Sequence, residues 1–302
     1  MRVVSVLPSA TEIVFALGHG AELVGRSEEC DYPPEVRDRP VVMRPRVWDA
    51  ERPSREIDAR VRAVRKERRS LYELDVDLLR RLEPDVILTQ DLCGVCSVTD
   101  AEVAAACARA DVAPKVVSLT PRNLRDVWEN VETVGRALDA SAEGRDLARR
   151  LRTRTSRTRG DPPGPRVAVV EWLDPPILAG LWTPDIVRAA GGTPVGPRAG
   201  QRGVRTDWET IAGYALDLVV LSPCSFSVER SRRELADPEL RAAIASVPAP
   251  RGVFVADEAY FSRPGPRLAD GVDLIRHLLD GGRWQPPMPM ESFPRPGQAV
   301  TA

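Results

Sequence analysis

Two thiols three residues apart, Cys93 and Cys96, stand in the stretch Thr89-Gln90-Asp91-Leu92-Cys93-Gly94-Val95-Cys96-Ser97. Thiolates are soft ligands: four hold a structural zinc or an iron–sulfur cluster, and fewer bind copper or ligate cobalt or haem iron. Cys30 and Cys224 also follow expected strands, so Cys30, Cys93, Cys96 and Cys224 form a candidate set for a transition metal or a cluster. A single Cys-x-x-Cys does not specify that chemistry, and small buried cysteines are also ordinary packing residues. Cys107, mid-helix among alanines, reads as core. The carboxylates Glu171, Asp257 and Glu258 sit at expected strand ends, where they could act as general acid or base or serve as ion-pair partners of arginines. Neither His19 nor His277 is placed to activate a Ser or Cys nucleophile. Three of the six tryptophans, Trp172, Trp182 and Trp208, flank loops of the kind that line concave sites.

These residues need elements to hold them. Pro84-Asp85-Val86-Ile87-Leu88 is short, β-branched and bounded by Pro, which predicts a buried strand. The Ala-rich run Thr99 to Arg109 predicts a helix with Thr99 or Asp100 as N-cap. The two thiols thus lie in a strand-to-helix loop at the carboxyl end of a strand, where open α/β sheets bind their ligands. The same β-α-β logic starts at Val3 to Leu7, with Ser9 as expected N-cap and Glu12 as its capping-box partner, and continues into Leu23-Val24-Gly25. Residues 44 to 70 show no clear strand, although Ile57, Val61 and Val64 suit an exposed helix over Glu56 to Arg65. Leu74, Leu78, Leu79 and Leu82 predict a helix before the Val86 strand, and Val116 to Leu119 predicts a further strand.

A polar helix expected from Ser141 to about Arg157 suits a bridge between two lobes, and Gly160 to Pro165 breaks the chain after it. Strands are expected again at Val167 to Val170, Asp217 to Leu221 and Val253 to Ala256, with a short helix over Pro184 to Ala190 and a final helix over Gly271 to Leu279. The expected organisation is an α/β lobe over 1–140, a bridging helix over 141–159, a second α/β lobe over 165–285 and an extended or disordered Pro-rich tail over 286–302.

Lys+Arg 43 against Asp+Glu 44 gives a net charge of -1. No global field therefore draws the chain to nucleic acid or to an anionic membrane. No apolar run approaches the roughly 18 residues of a membrane span. The amino terminus has one positive charge and an apolar run too short for a secretory signal. As written, the sequence reads as cytoplasmic, with reduced thiols, and as periplasmic or extracytoplasmic if a leader has been removed.

Four motifs occur in one order: Leu7-Pro8-Ser9-Ala10-Thr11-Glu12, Glu29-Cys30-Asp31-Tyr32-Pro33, Thr89 to Cys96, and Tyr260-Phe261-Ser262-Arg263-Pro264-Gly265-Pro266-Arg267. Together they resemble the cobalamin-binding proteins of ABC importers, in the helical-backbone (TroA-like) class of substrate-binding proteins, over about residues 1 to 285. The resemblance implies two lobes, each a parallel sheet flanked by helices, joined by one long helix as in class III periplasmic binding proteins. It also implies a cobalamin-like corrinoid or another metal chelate as ligand in the cleft, and an ABC importer permease as partner. Tyr32 and the surroundings of Trp48 in the first lobe, and Trp208, Tyr260 and Arg263 in the second, are carried over by position. Asp91, Trp172 and Trp182 join them as candidate ligand contacts. The resemblance departs at Leu178-Ala179-Gly180-Leu181-Trp182, where Leu181 stands in place of the polar residue common in that segment. The alternative reading is a cytoplasmic metalloprotein or enzyme that uses the four thiols on the same fold.

Overall fold

The computed structural model describes residues 1–46, 51–67, 70–91, 98–156, 164–281 and 285–293. The chain forms two compact units. The first comprises Met1–Arg52, Glu56–Pro121 and Arg125–Arg152; the second comprises Pro53–Arg55, Arg122–Leu124 and Thr153–Ala302.

The elements that build the first unit are β1 (Val3–Ser5), α1 (Pro8–Ala16), β2 (Leu23–Ser27), β3 (Val41–Pro45), α2 (Ser54–Lys66), β4 (Tyr72–Leu74), α3 (Val76–Leu82), β5 (Val86–Thr89), α4 (Asp100–Ala110), β6 (Lys115–Ser118), α5 (Leu124–Ala137) and α6 (Ser141–Arg154). Its six strands run in the order β4-β3-β2-β1-β5-β6, parallel throughout except for the antiparallel β3–β4 pair. From β1 the chain winds through β2 and β3 on one side and through β5 and β6 on the other. The direction of winding therefore reverses between β1 and β5, and the carboxyl ends of strands at such a reversal are where open α/β sheets bind their ligands. All four residues of β5 are buried, as an interior parallel strand covered on both faces requires. Ile87 packs with Val4, Val42, Leu79, Val103 and Ala106 in one apolar cluster. On the α5–α6 turn, Gly135 and Gly144 allow backbone to lie on backbone: a Cβ on Gly135 would come within 2.9 Å of the Ala140 carbonyl oxygen and the Gly144 Cα.

The second unit contains β7 (Arg166–Leu173), β8 (Pro176–Leu178), α7 (Thr183–Ala189), β9 (Thr193–Pro194), β10 (Val204–Arg205), α8 (Trp208–Ala212), β11 (Leu218–Leu221), α9 (Val228–Glu234), α10 (Pro238–Ala245), β12 (Val253–Ala256), α11 (Leu268–Asp280) and β13 (Met290–Ser292). The sheet order is β10-β8-β7-β11-β12-β13, with β9 paired to the start of β7. The β7, β11 and β12 strands are parallel; β8, β10 and β13 join antiparallel at the two flanks. Here too the winding reverses, between β7 and β11.

Several expectations change. Both sheets are mixed, because short antiparallel strands extend each parallel centre. Residues 41–45 form a strand, and α2 begins two residues before the expected start. Leu74 belongs to β4; α3 starts after Asp75, whose side chain caps the helix by accepting the Leu78 N–H. Ser9 is not a cap: α1 begins at Pro8 after Leu7, with no side-chain cap, and Ser9 is buried inside the helix. Thr99 does cap α4, in a complete capping box with Glu102. Part of the Pro-rich tail is ordered, since β13 pairs with β12 and Phe293 enters the core of the second unit.

Candidate functional site

In the second unit three parallel strands end side by side, and their loops are laced together. The Cys224 N–H donates to the Glu171 carbonyl at 2.9 Å, and the Ser222 hydroxyl donates to the Asp257 carbonyl at 3.1 Å. Ser225 adopts the left-handed region, φ 63°. Its N–H donates to Glu258 Oε2 at 3.3 Å, and the next residue, Phe226, turns inward against Trp172 with ring centroids 5.4 Å apart. The Arg230 guanidinium lies over the Phe226 ring, 4.2 Å from its centroid, and pairs with Glu234 Oε2 at 3.0 Å. Glu258 Oε1 accepts the Arg263 Nε–H at 2.6 Å. Trp172 is only partly covered, and its Nε1–H is enclosed without a hydrogen-bond partner among the described residues. An enclosed donor without an acceptor is uncommon and costs about 1–3 kcal/mol.

Of the residues anticipated in this unit, Trp172 and Arg263 stand at these strand ends. Trp182, Trp208 and Tyr260 are buried. The Trp182 indole N–H donates to the Phe261 carbonyl at 2.6 Å, and the Trp208 N–H to the Leu173 carbonyl at 3.2 Å. The Tyr260 ring is wholly enclosed; its hydroxyl donates to the Met288 carbonyl at 2.7 Å and accepts the Met288 N–H at 3.1 Å. Burial, only partly offset by the Met288 hydrogen bond, pushes this phenol up to about 12. Phe226, Arg230 and Glu234 were not anticipated, although the i,i+4 spacing of Arg230 and Glu234 on one helix was a visible signal. Of the three strand-end carboxylates, Glu258 takes the role of ion-pair partner.

In the first unit, the strand ends on either side of the winding reversal carry the Leu7 to Glu12 motif and the Thr89 to Ser97 stretch. Tyr32 is 45% exposed and Asp91 is exposed. Cys30 is fully buried, with its sulfur accepting the Thr11 hydroxyl at 3.1 Å and 4.0 Å from the Ser5 carbonyl. Arg26 fixes the loop after β2 by donating to the carbonyls of Ser27, Glu28, Cys30 and Arg37. Trp48, Cys93 and Cys96 lie outside the described residues. Cys107 packs in the core, where burial raises its thiol above the usual range. Among the described residues Cys30, Cys107 and Cys224 form no disulfide, and no group of three or more His, Cys, Asp or Glu side chains is arranged to hold a metal.

Residues 3–245 match the family model described as periplasmic binding protein. The chain belongs to the periplasmic binding protein family. Solved structures carry the same fold across nearly the whole chain. A periplasmic heme binding protein from Pseudomonas aeruginosa is similar at 17% identity and a TM-score of 0.69, over 96% of this chain and 97% of its own. The periplasmic vitamin B12 binding protein BtuF of Vibrio cholerae aligns at 18% identity and 0.61, over 92% and 97%. An ABC-type Fe3+-hydroxamate transport system structure from Saccharomonospora viridis aligns at 20% identity and 0.61, over 92% and 93%. No curated protein matches the chain. The two-lobe α/β architecture expected from the four motifs is thus the architecture of this binding protein and of its structural relatives. Among its described residues no helix is long and apolar enough to cross a membrane.

Proposed function

We propose that this binding protein is the substrate-binding component of an ABC importer, working outside the cytoplasmic membrane. Its ligand is a flat metal chelate, with a cobalamin-like corrinoid as the first choice over heme and ferric hydroxamates. Family membership supports the carrier role. The observation that carries the ligand class is Trp172: a partly open indole at the winding reversal of the second sheet, backed by Phe226, with an enclosed N–H that has no acceptor among the described residues. An aromatic face covers a planar macrocycle, and an amide carbonyl from its fringe would meet the unpaired donor. The two arginines held beside this face are each paired with a buried carboxylate, which suits a ligand whose periphery is amide and not carboxylate. The alternative, a cytoplasmic metalloprotein built on four thiols, has less behind it. Cys30 is enclosed, with its sulfur accepting the Thr11 hydroxyl.

The test is to titrate the purified chain with cyanocobalamin, hemin and a ferric trihydroxamate and to follow each ligand's visible spectrum and its retention on gel filtration. Binding of cyanocobalamin, weakened about tenfold or more by Trp172→Ala, is the expected result, since truncating a central aromatic anchor typically removes more than 1 kcal/mol. Retention of hemin or the hydroxamate alone would leave the carrier role standing and overturn the corrinoid choice. Retention of none of the three would overturn the chelate reading.

A further inference from the structure

We infer that Glu258 is an internal counter-ion that sets the charge selectivity of the ligand-binding face of the second unit. It neutralises Arg263, so that this face disfavours ligands bearing carboxylates. The inference rests on the reading that the strand ends around Trp172 face the ligand. Glu258 lies two residues beyond β12 and is almost fully enclosed. One of its oxygens takes the Arg263 Nε–H at 2.6 Å and the other takes the Ser225 N–H at 3.3 Å. A single carboxylate therefore joins the loop after β12 to the loop after β11, the loop that seats Phe226 against Trp172.

The Arg263 side chain is itself 14% exposed, so its charge is placed at the edge of the enclosed region and not inside it. An arginine at such an edge, left unpaired, is the residue best suited to grip a carboxylate in a bidentate manner. Here its Nε edge is already taken by a partner from its own unit. The neighbouring cation repeats the arrangement, because Arg230 is held by Glu234 at 3.0 Å with both side chains enclosed. Two cations each paired with an acid leave this face without a net charge from these four groups. Specificity then comes from what the face rejects: an anionic group approaching Arg263 must displace Glu258 or meet its negative charge.

Glu258→Gln keeps the size of the side chain and removes its charge; its one remaining acceptor oxygen can serve the Arg263 Nε–H, at the expense of the longer bond from the Ser225 N–H. The probes are hemin, with two propionates, and cyanocobalamin, which carries no net charge. The ratio of their Kd values is expected to shift toward hemin on the order of tenfold in Glu258→Gln, as unmasking one charge at an incompletely desolvated site implies. The double variant Glu258→Gln with Arg263→Gln should restore the wild-type ratio, and Arg263→Gln alone should move it away from hemin. A purely structural role would weaken both ligands together and would not be repaired by the second substitution. An unchanged ratio in folded Glu258→Gln and folded Arg263→Gln would overturn the inference; if Glu258→Gln does not fold, Arg263→Gln decides alone. If the wild type retains neither probe, the ligand reading fails, and the counter-ion role is read instead from the quenching of tryptophan fluorescence by iodide relative to acrylamide. Unmasking Arg263 should raise the iodide-to-acrylamide ratio over wild type and double variant; equal ratios in all three would overturn it.

Discussion

Replacing Tyr260 by Phe removes one oxygen from the centre of the second unit, and the structure fixes what should follow. The hydroxyl both donates to the Met288 carbonyl and accepts the Met288 N–H, so Tyr260→Phe leaves two enclosed backbone groups unpaired. A cost of about 1–3 kcal/mol at neutral pH is expected from such a loss. The second consequence depends on pH. Burial is the chief cause that pushes the folded phenol up from its ordinary 10.0 to about 12. A raised folded value means that the native state holds the proton more tightly than the unfolded chain. The contribution is therefore fully present below pH 10 and is lost progressively as pH rises toward 12. Two units of difference correspond to about 2.7 kcal/mol in full, and about 2 kcal/mol should already be gone at pH 11.5. The assay is tyrosinate absorbance during an alkaline titration, together with denaturant unfolding at pH 8.5 and 11.5. Of the four tyrosines, one should ionise near 12 in the wild type, and that step should be missing from Tyr260→Phe. The wild type should also lose about 2 kcal/mol more than the variant between the two pH values. A missing step near 10, or equal losses in the two proteins, would refute the account of an enclosed phenol held by Met288.

Two further outcomes follow from local geometry. Thr99→Ala should destabilise the first unit by about 1 kcal/mol in thermal unfolding, because it strips the capping box from α4. Burial opposes ionisation of Glu102, but hydrogen bonds from Ser70 and Thr99 and the nearby charge of Arg46 outweigh it and hold this carboxyl below its usual value. Its stabilising contribution should thus be present above pH 4.5 and fade as pH falls through the folded value, a fade that Glu102→Gln should abolish. Gly271→Ala should destabilise the second unit by about 1–3 kcal/mol, since a methyl there runs into the Tyr260 carbonyl oxygen at the start of α11. A melting temperature unchanged by that substitution would show that α11 has room to shift.

The central strands were legible because the code for them is local. Val86 to Leu88 and Leu218 to Leu221 are short unbroken apolar runs, and interior parallel strands need apolar residues on both faces. Thr99 with Glu102 was legible for the same reason, being a four-residue signal. Leu74 misled, because Leu74, Leu78 and Leu82 fall at helical spacing although Asp75 starts the helix one residue after the strand ends. The flanking strands carried almost no local signal. The Met290–Ser292 strand exists only through its pairing with Phe254 to Ala256, and nothing in a Pro-rich tail announces a partner some 36 residues upstream.

The same distinction separates the aromatic residues of the candidate site. By sequence Trp172, Trp182, Trp208 and Tyr260 are alike: each adjoins a loop, and each has a polar atom that needs a partner once the ring is enclosed. What divides them is whether that partner exists inside the protein, and it comes from far along the chain. Phe261 answers Trp182 across 79 positions, Leu173 answers Trp208 across 35 and Met288 answers Tyr260 across 28. Each of these rings completes a fold contact and has no open donor left. Trp172 has packing from Phe226 but no acceptor among the described residues, and it stands where the winding of the sheet reverses. A ring anchored by its apolar face and left polar-unsatisfied where the winding of its sheet reverses is the group whose environment a ligand would complete, and the folded structure alone distinguishes it from its three neighbours in type.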